Sequence, residues 1–346
     1  MPAPAVARFQ SLRYIPFVTS FEPHPLLLNP HWMTLAGRFW PRSLERLSPA
    51  VERYFEVEAG IRLLAHCHWQ PQPAGRPTIV IVHGLEGSSD SRYVLGTAEK
   101  AWVAGFNVVR MNQRNCGGTE ALAPTLYNSG LSGDYRAVVE QLASADGLRE
   151  IFLAGFSMGG NLVLKAAGEM DRDGSSPRAF AGVAGVCPSL DLAACVDAIH
   201  EPRNAFYERY FVRNLKRRYR RKVELFPQHF KLDGLDSLTT IREFDDVITA
   251  PYCGYGNAVN YYDRASAKHV LASIRVPALV ITAQDDPMVP YASVRRGELL
   301  GNPGISLLDP PHGGHCAFIS RYGGGHERFW AECRIVEFCK SQSKLL

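Results

Sequence analysis

The sequence lacks the signals of several classes of protein. No apolar run approaches the roughly 20 residues needed to span a bilayer. The N-terminus lacks the succession of basic, apolar and small-residue segments that marks a secretory signal. Internal repeats, low-complexity segments and a Gly-rich P-loop are absent as well. These absences predict a soluble, cytoplasmic protein that does not bind nucleotides through a P-loop.

Cysteine patterns that would bind a metal are also absent. The eight cysteines do not show the paired spacing of a zinc site, and several lie in apolar stretches, as Cys187 and Cys339 do. We therefore expect free thiols in a reducing compartment. No metal and no cofactor are predicted.

Length and composition indicate a large folded domain. The 346 residues suit one domain that carries an insertion, or at most two domains. Hydrophobic residues make up 46% and charged residues 21%, so the chain can bury a sizeable core. The formal net charge of +4 is a mild excess, which does not indicate nucleic-acid binding.

Continuous apolar runs that alternate with helical patterns indicate a parallel sheet. Strands are unbroken apolar runs when helices cover both faces of the sheet, so the order of segments predicts a doubly wound α/β domain. The last helix is predicted at 327–340. The eight predicted strands are 54–57, 61–69, 78–83, 106–111, 150–155, 180–187, 278–283 and 305–308.

A polar, helical-looking stretch interrupts this alternation between the sixth and seventh predicted strands. Seven of the ten residues 213–222 are basic, and Phe211, Leu215 and Tyr219 recur among them at helical spacing. We expect an amphipathic helix with a solvated basic face, with weak docking on an anionic membrane surface as the alternative. The predicted organisation is an irregular N-terminal arm at 1–48, a core at 49–190 and 270–346, and a helical cap at 191–269.

A nucleophile motif lies directly after the fifth predicted strand. The segment 155–159, Gly-Phe-Ser-Met-Gly, matches the pattern G-x-S-x-G, with an apolar strand before it and a helical pattern after it. The sharp strand-to-helix turn pushes the hydroxyl of Ser157 outward, and the flanking glycines relieve the crowding of that turn. A Gly-rich turn with an inert serine is the alternative. We predict that Ser157 is a nucleophile.

A serine hydroxyl needs a general base, and the base needs an acid that orients it. The acid is expected in the loop after the seventh predicted strand, which contains Asp285 and Asp286. We choose Asp286, which precedes Pro287 at the expected position. Asp285 is the alternative acid. If Asp286 is the acid, we expect Asp285 to be a turn or cap residue, or a hydrogen-bond acceptor that supports the catalytic groups.

The base is expected after the last predicted strand. His315 follows two glycines that let the backbone approach a site closely, and His312 is the alternative, interpreted as a structural loop histidine. The negative charge that develops on a substrate oxygen needs fixed donors. The backbone N–H groups of Met158 and Leu85 are predicted to form this oxyanion hole, since Leu85 lies in the loop after the third predicted strand.

Together these motifs resemble the AB hydrolase 4 family, the YheT-like esterases of bacteria and their animal relatives. The resemblance implies an α/β-hydrolase fold and a Ser-Asp-His triad, carried onto Ser157, Asp286 and His315, that acts on acyl esters. Asn115 and Ala317 stand where glycines are common in the family. These departures affect the expected shape of the two loops and not the expected mechanism. The matching segments are 29–31, 83–89, 114–118, 155–161, 285–287 and 312–318.

The predicted function is a serine carboxylesterase that forms an acyl-enzyme. Its partner is a small-molecule acyl ester of short to medium chain length, including lipid-derived esters, and nucleic acid is not expected. One alternative uses the same triad to transfer the acyl group to an alcohol. Others are a non-catalytic binding protein of the same fold and a peptidase. The sequence indicates no oligomeric state.

Overall fold

The computed structural model describes residues 20–321 and 328–346. Within them, eight strands form a sheet in the order β1-β2-β4-β3-β5-β6-β7-β8. The pairs β1–β2 and β2–β4 are antiparallel, and every other neighbouring pair is parallel. The strands are β1 Val51–Glu58, β2 Ile61–His68, β3 Thr78–Val82, β4 Asn107–Met111, β5 Ile151–Phe156, β6 Phe180–Val186, β7 Ala278–Ile281 and β8 Ile305–Leu308.

Helices cover both faces of this sheet. They are α1 Pro30–Phe39, α2 Arg92–Val103, α3 Ser132–Ser144, α4 Met158–Asp173, α5 Leu192–His200, α6 Ala205–Leu225, α7 Ile241–Phe244, α8 Ala250–Tyr252, α9 Ala258–Ala265, α10 Tyr291–Val294, α11 Gly297–Leu300 and α12 Trp330–Gln342. Short 3-10 turns connect several of them, and a π-helical turn at Asp245–Thr249 joins α7 to α8. No helix in the described ranges combines the length and the apolar character that crossing a bilayer requires.

The pattern of buried side chains explains why the central parallel strands are mostly apolar. In β3, Val80 and Val82 pack into the core layer shared with α3 and α4. Ile79 and Ile81 point to the opposite face and pack with α2 and α12. All four side chains are fully buried. A regular alternation of polar and apolar residues would place polar groups in one of these buried layers, which explains the continuous apolar runs.

The predicted doubly wound sheet is confirmed. All eight predicted strands are present, with ends within three residues of the prediction. The predicted last helix corresponds to α12, which begins at Trp330, while Glu327 lies outside the described residues. Helices α5 to α9 lie between β6 and β7, where the insertion was expected. The boundaries of a cap at 191–269 stay a prediction.

The expectation of an irregular N-terminal arm is wrong for α1. The side-chain oxygen of Asn29 accepts hydrogen bonds from two backbone N–H groups of the first turn. Pro30 occupies the first helical position, where a missing N–H has no cost. Met33 is fully buried in an apolar cluster beneath α1. Residues 1–19 of the predicted arm lie outside the described residues.

The expectation of a solvated basic face on α6 is wrong for Lys222 and Arg218. Lys222 is fully buried, and its ammonium donates hydrogen bonds to the carbonyl oxygens of Glu120 and Ala123. Arg218 forms a bidentate ion pair with Glu86, with both N–O distances at 3.0 Å. The side chains of Arg218 and Glu86 are 14% and 2% exposed. This pair ties α6 to the loop after β3.

Replacing Arg218 with Met keeps much of the aliphatic volume but leaves the carboxylate of Glu86 buried without its cation. We expect Arg218→Met to lower the free energy of unfolding by about 3 kcal/mol, as measured by urea denaturation. Arg220→Met is the matched control, because Arg220 pairs with Asp236 on the surface of the protein. The control should lose less than about 1 kcal/mol. Equal losses in the two variants would contradict this account of Arg218.

Candidate active site

The backbone at Ser157 forms a sharp turn between a strand and a helix. β5 ends at Phe156 and α4 begins at Met158, which leaves Ser157 alone between them with φ +54° and ψ −119°. A positive φ is uncommon for a residue with a side chain, and such strain concentrates at functional sites. The turn leaves the side chain of Ser157 half-buried, at the carboxyl end of β5.

The glycines on either side of Ser157 are required by close backbone contacts. A Cβ atom on Gly155 would lie 2.2 Å from the carbonyl oxygen of Gly159. A Cβ atom on Gly159 would lie 2.4 Å from the carbonyl oxygen of His83, in the loop after β3. Both obstacles are backbone atoms, which side-chain movement cannot relieve. The glycines of the motif therefore allow β5, α4 and the β3 loop to meet at Ser157.

Asp286 is held in one orientation by hydrogen bonds to both of its oxygens. Its Oδ1 accepts hydrogen bonds from the backbone N–H groups of Met288 and Val289, at 2.8 and 3.0 Å. Its Oδ2 lies 2.8 Å from Nδ1 of His315. The side chain of Asp286 is fully buried. This arrangement fixes the plane of the imidazole ring.

The alternative residues form a second pair beside the first. Oδ2 of Asp285 lies 3.1 Å from Nδ1 of His312, and Oδ1 accepts a hydrogen bond from the N–H of Gly314 at 3.0 Å. The side chain of His312 is 44% exposed, against 12% for His315. His315 lines a cavity together with Ser157, and His312 is not among the residues of that cavity. The Asp285–His312 pair therefore braces the loop that carries His315.

The charge state of His315 reflects two opposing effects. Burial disfavours the charged imidazolium and lowers the pKa of His315. The adjacent carboxylate of Asp286 and the nearby thiol of Cys187 both raise the pKa, and their combined effect outweighs burial, so the net pKa of His315 is raised above its ordinary value. The pair thus favours uptake of a proton by His315, which is the step required of a general base.

The backbone of His315 is anchored by α1. Its N–H donates a hydrogen bond to Oγ1 of Thr34 at 2.8 Å, and the Thr34 hydroxyl donates to the carbonyl oxygen of Pro30 at 2.7 Å. Thr34 was not among the predicted site residues. The only signal in the sequence was its position close to the 29–31 segment, which carries part of the family resemblance.

The predicted oxyanion donors flank Ser157. A Cβ atom on Gly84 would lie 3.0 Å from Cβ of Ser157, so the β3 loop lies directly against the nucleophile. The N–H of Gly84 donates to the Tyr93 hydroxyl at 2.9 Å. In residues 20–321 and 328–346, the N–H groups of Leu85 and Met158 have no hydrogen-bond partner. Both residues line the cavity with Ser157, so both donors are available to a bound oxygen atom.

The cavity has mainly apolar walls supplied by the core and by the inserted helices. Val196 and Ile199 of α5 and Phe211 and Leu215 of α6 line it together with Ser157. Within the described part of the chain, the Ser157 hydroxyl makes no hydrogen bond. Loose contacts between nucleophile and base are common before substrate binds. The arrangement can hold an apolar acyl group next to a serine, an imidazole and two free N–H donors.

Comparisons with known proteins place the chain in a family. A family model described as alpha/beta hydrolase fold matches residues 77–322. The chain is 32% identical over 314 residues to "Putative esterase YheT" of Escherichia coli (strain K12), and the match covers 90% of each protein. It is 29% identical over 292 residues to "Medium-chain fatty acid ethyl ester synthase/esterase 2" of Saccharomyces cerevisiae, covering 76% of this chain and 61% of that protein.

A solved structure supports the same fold. The esterase Pf2001 of Pyrococcus furiosus superposes with a TM-score of 0.56 at 16% identity, over 87% of this chain and 98% of that one. At this identity the likeness shows the fold alone. The family-model match and the match to YheT both span most of the chain. The chain therefore belongs to the α/β-hydrolase fold family and, within it, to the AB hydrolase 4 family of YheT-like proteins.

Proposed function

We propose that this carboxylic ester hydrolase acts through a Ser157–His315–Asp286 triad and an acyl-enzyme. The observation that carries the proposal is that Ser157 and His315 line one cavity, while Asp286 holds Nδ1 of the imidazole at 2.8 Å. A base held in a single orientation beside a serine at a strained turn is the arrangement that nucleophilic catalysis requires.

The proposed reaction has two acyl-transfer steps. His315 accepts the proton of Ser157 as Oγ attacks the ester carbonyl carbon, and the N–H groups of Leu85 and Met158 stabilise the oxyanion. When the tetrahedral intermediate collapses, the C–O bond to the alcohol breaks and the imidazolium protonates the departing alcohol. Water then attacks the acyl-enzyme with His315 again as base. This second step releases the carboxylic acid and restores the Ser157 hydroxyl.

The walls of the cavity support an apolar acyl group as the bound part of the substrate. We propose esters of short to medium acyl chains, including lipid-derived ones, because most of the side chains that α5 and α6 contribute to the cavity are aliphatic or aromatic, with Arg218 and Lys222 as the charged exceptions. In this proposal residues 191–269 form a cap that closes the cavity over the acyl chain. Exclusion of water there would strengthen the electrostatic interactions around the oxyanion.

Acyl transfer to an alcohol is the second candidate, and one relative favours it. The printed name of the yeast relative includes both ester synthase and esterase activity. Both reactions share the acyl-enzyme and differ in whether water or an alcohol attacks it.

We expect hydrolysis to dominate, so incubation of a p-nitrophenyl ester with added ethanol should yield mainly free acid by gas chromatography. Ethyl ester as the main product would favour the transferase.

Removing the proposed nucleophile should abolish turnover. We expect Ser157→Ala to reduce hydrolysis of p-nitrophenyl esters by at least about 10³-fold and to prevent labelling by a fluorophosphonate probe. Ser144→Ala, on α3 and away from the cavity, is the matched control and should behave as the wild type. Persistent labelling and turnover in Ser157→Ala would falsify the assignment.

The two aspartates should differ sharply in their effect on activity. Asp286→Asn removes the charge beside Nδ1 of His315 and should lower kcat by about 10²–10⁴-fold. Asp285→Asn changes only the loop-bracing pair and should lower kcat by less than about tenfold. The measurement is steady-state hydrolysis by both variants under identical conditions. Similar losses of kcat in the two variants would contradict the choice of Asp286 over Asp285 as the residue that orients His315.

A further inference from the structure

Two cysteines lie beside the proposed base. Cys187 directly follows β6, and Cys316 is the neighbour of His315 in the chain. The two sulfur atoms and a ring nitrogen of His315 all lie within 4.8 Å of one another. In the part of the chain that the structure describes, this is the one cluster of three His, Cys, Asp or Glu side chains whose ligand atoms approach so closely. All of the cysteines are free thiols.

We propose that Cys187, Cys316 and His315 form a Zn²⁺ site whose occupation stops ester hydrolysis. Thiolate sulfur and imidazole nitrogen are the donors that Zn²⁺ prefers, and Zn²⁺ binds them at about 2.3 and 2.0 Å in a tetrahedron. Ligand atoms in such a tetrahedron are about 3.5–3.8 Å apart. Three donors within 4.8 Å therefore need to move by about 1 Å or less to close around the ion.

The backbone holds the two sulfur atoms in place before any ion binds. Cys187 and Cys316 have φ values of +43° and +62°, in the left-handed region that side chains seldom occupy. The N–H of Cys187 donates to the carbonyl oxygen of Ile281 at 2.7 Å, and the N–H of Cys316 donates to the sulfur of Cys187 at 3.3 Å. These contacts fix the turn after β6 against the loop of His315. The two thiols are therefore already positioned, and metal binding needs little further ordering of the backbone.

An ion can reach the cluster from the cavity side. Cys316 and His315 line a cleft that also contains Ser157 and Gly84. Three protein ligands leave the fourth position of the tetrahedron for water. One Zn²⁺, two thiols and the neutral imidazole of His315 give a dithiolate complex and two released protons, and a third proton leaves where the imidazole is protonated, because the ligands must be deprotonated.

The inhibitory consequence rests on the proposed function of His315. Zn²⁺ on the Nε2 atom would occupy the lone pair that must accept the Ser157 proton. Zn²⁺ on Nδ1 would instead displace the contact with Asp286, which orients the ring. Either coordination removes the general base. The metal site itself depends only on the positions of the three donors.

Cobalt provides a test of binding that does not depend on activity. We expect Co²⁺ added to the reduced, full-length protein to give a thiolate-to-cobalt charge-transfer band at one ion per chain, which Zn²⁺ removes by competition. Cys187→Ala and Cys316→Ala should each lose the band. Cys253 is a free thiol in the inserted region, away from the proposed site, so Cys253→Ala should keep the band. If Cys187→Ala does not fold, Cys187→Ser preserves the packing and serves instead. A band that survives in both site variants, or no band in the wild type, would overturn the site.

Inhibition supplies the second measurement. Zn²⁺ should inhibit the wild-type enzyme, and a chelator should restore activity. With inhibition expressed relative to each variant's own metal-free rate, Cys316→Ala should require at least about 10–100-fold more Zn²⁺ for half-inhibition, whereas Cys253→Ala should match the wild type. Unchanged inhibition in Cys316→Ala would overturn the proposal.

These experiments distinguish failure of the proposed metal site from failure of the proposed function. Ser157→Ala keeps all three donors and should bind Co²⁺ as the wild type does. If that variant retained ester turnover, the proposed function would fail while the metal site stood. If the cobalt band were insensitive to both cysteines while Ser157→Ala was inactive, the metal site would fail and the proposed function would stand.

Discussion

The close contact of three backbone segments around Ser157 is the constraint on which the rest of the site depends. The end of β5, the first turn of α4 and the loop after β3 meet where a Cβ atom on Gly155 or Gly159 would overlap backbone oxygen. At that contact Ser157 has a strained φ of +54°, and Leu85 and Met158 line the same cavity as its side chain. Preorganised donors cost no rearrangement during a reaction, which is why such rigidity favours catalysis.

The remaining groups reach this point from distant parts of the chain through one rule of sheet geometry. Ser157, Asp286 and His315 each follow the carboxyl end of a parallel strand, namely β5, β7 and β8. Parallel strands bring all their carboxyl ends to the same edge of the sheet, so loops far apart in sequence converge there. The same rule brings the residue after β6, Cys187, to His315. The proposed catalytic residues and the proposed metal ligands therefore share His315, because both sets lie at the edge of the sheet where the carboxyl ends of the parallel strands meet.

The fold could be predicted from the sequence because its signals are local. Continuous apolar runs marked the strands, and the G-x-S-x-G segment marked the turn at Ser157. The helix α1 was missed although its start signals, Asn29 and Pro30, were present, because the surrounding proline and aromatic residues obscured the helical period. The contacts Thr34–His315 and Arg218–Glu86 could not be predicted, since nothing in a local pattern specifies which distant side chains meet. The chemical roles within the triad stay predictions.

The Arg218–Glu86 pair ties the inserted helices to the loop that carries the proposed oxyanion donor. Glu86 is the neighbour of Leu85, whose N–H is the proposed oxyanion donor, and its φ of +57° places it in a strained turn. The bidentate contact with Arg218, together with a hydrogen bond from the Tyr127 hydroxyl, holds that turn in position. A substitution that shifts α6 would therefore move the loop of the proposed oxyanion donor as well as the apolar wall. We therefore expect substitutions at Arg218 or Glu86 to affect both the cavity wall and the loop of the proposed oxyanion donor.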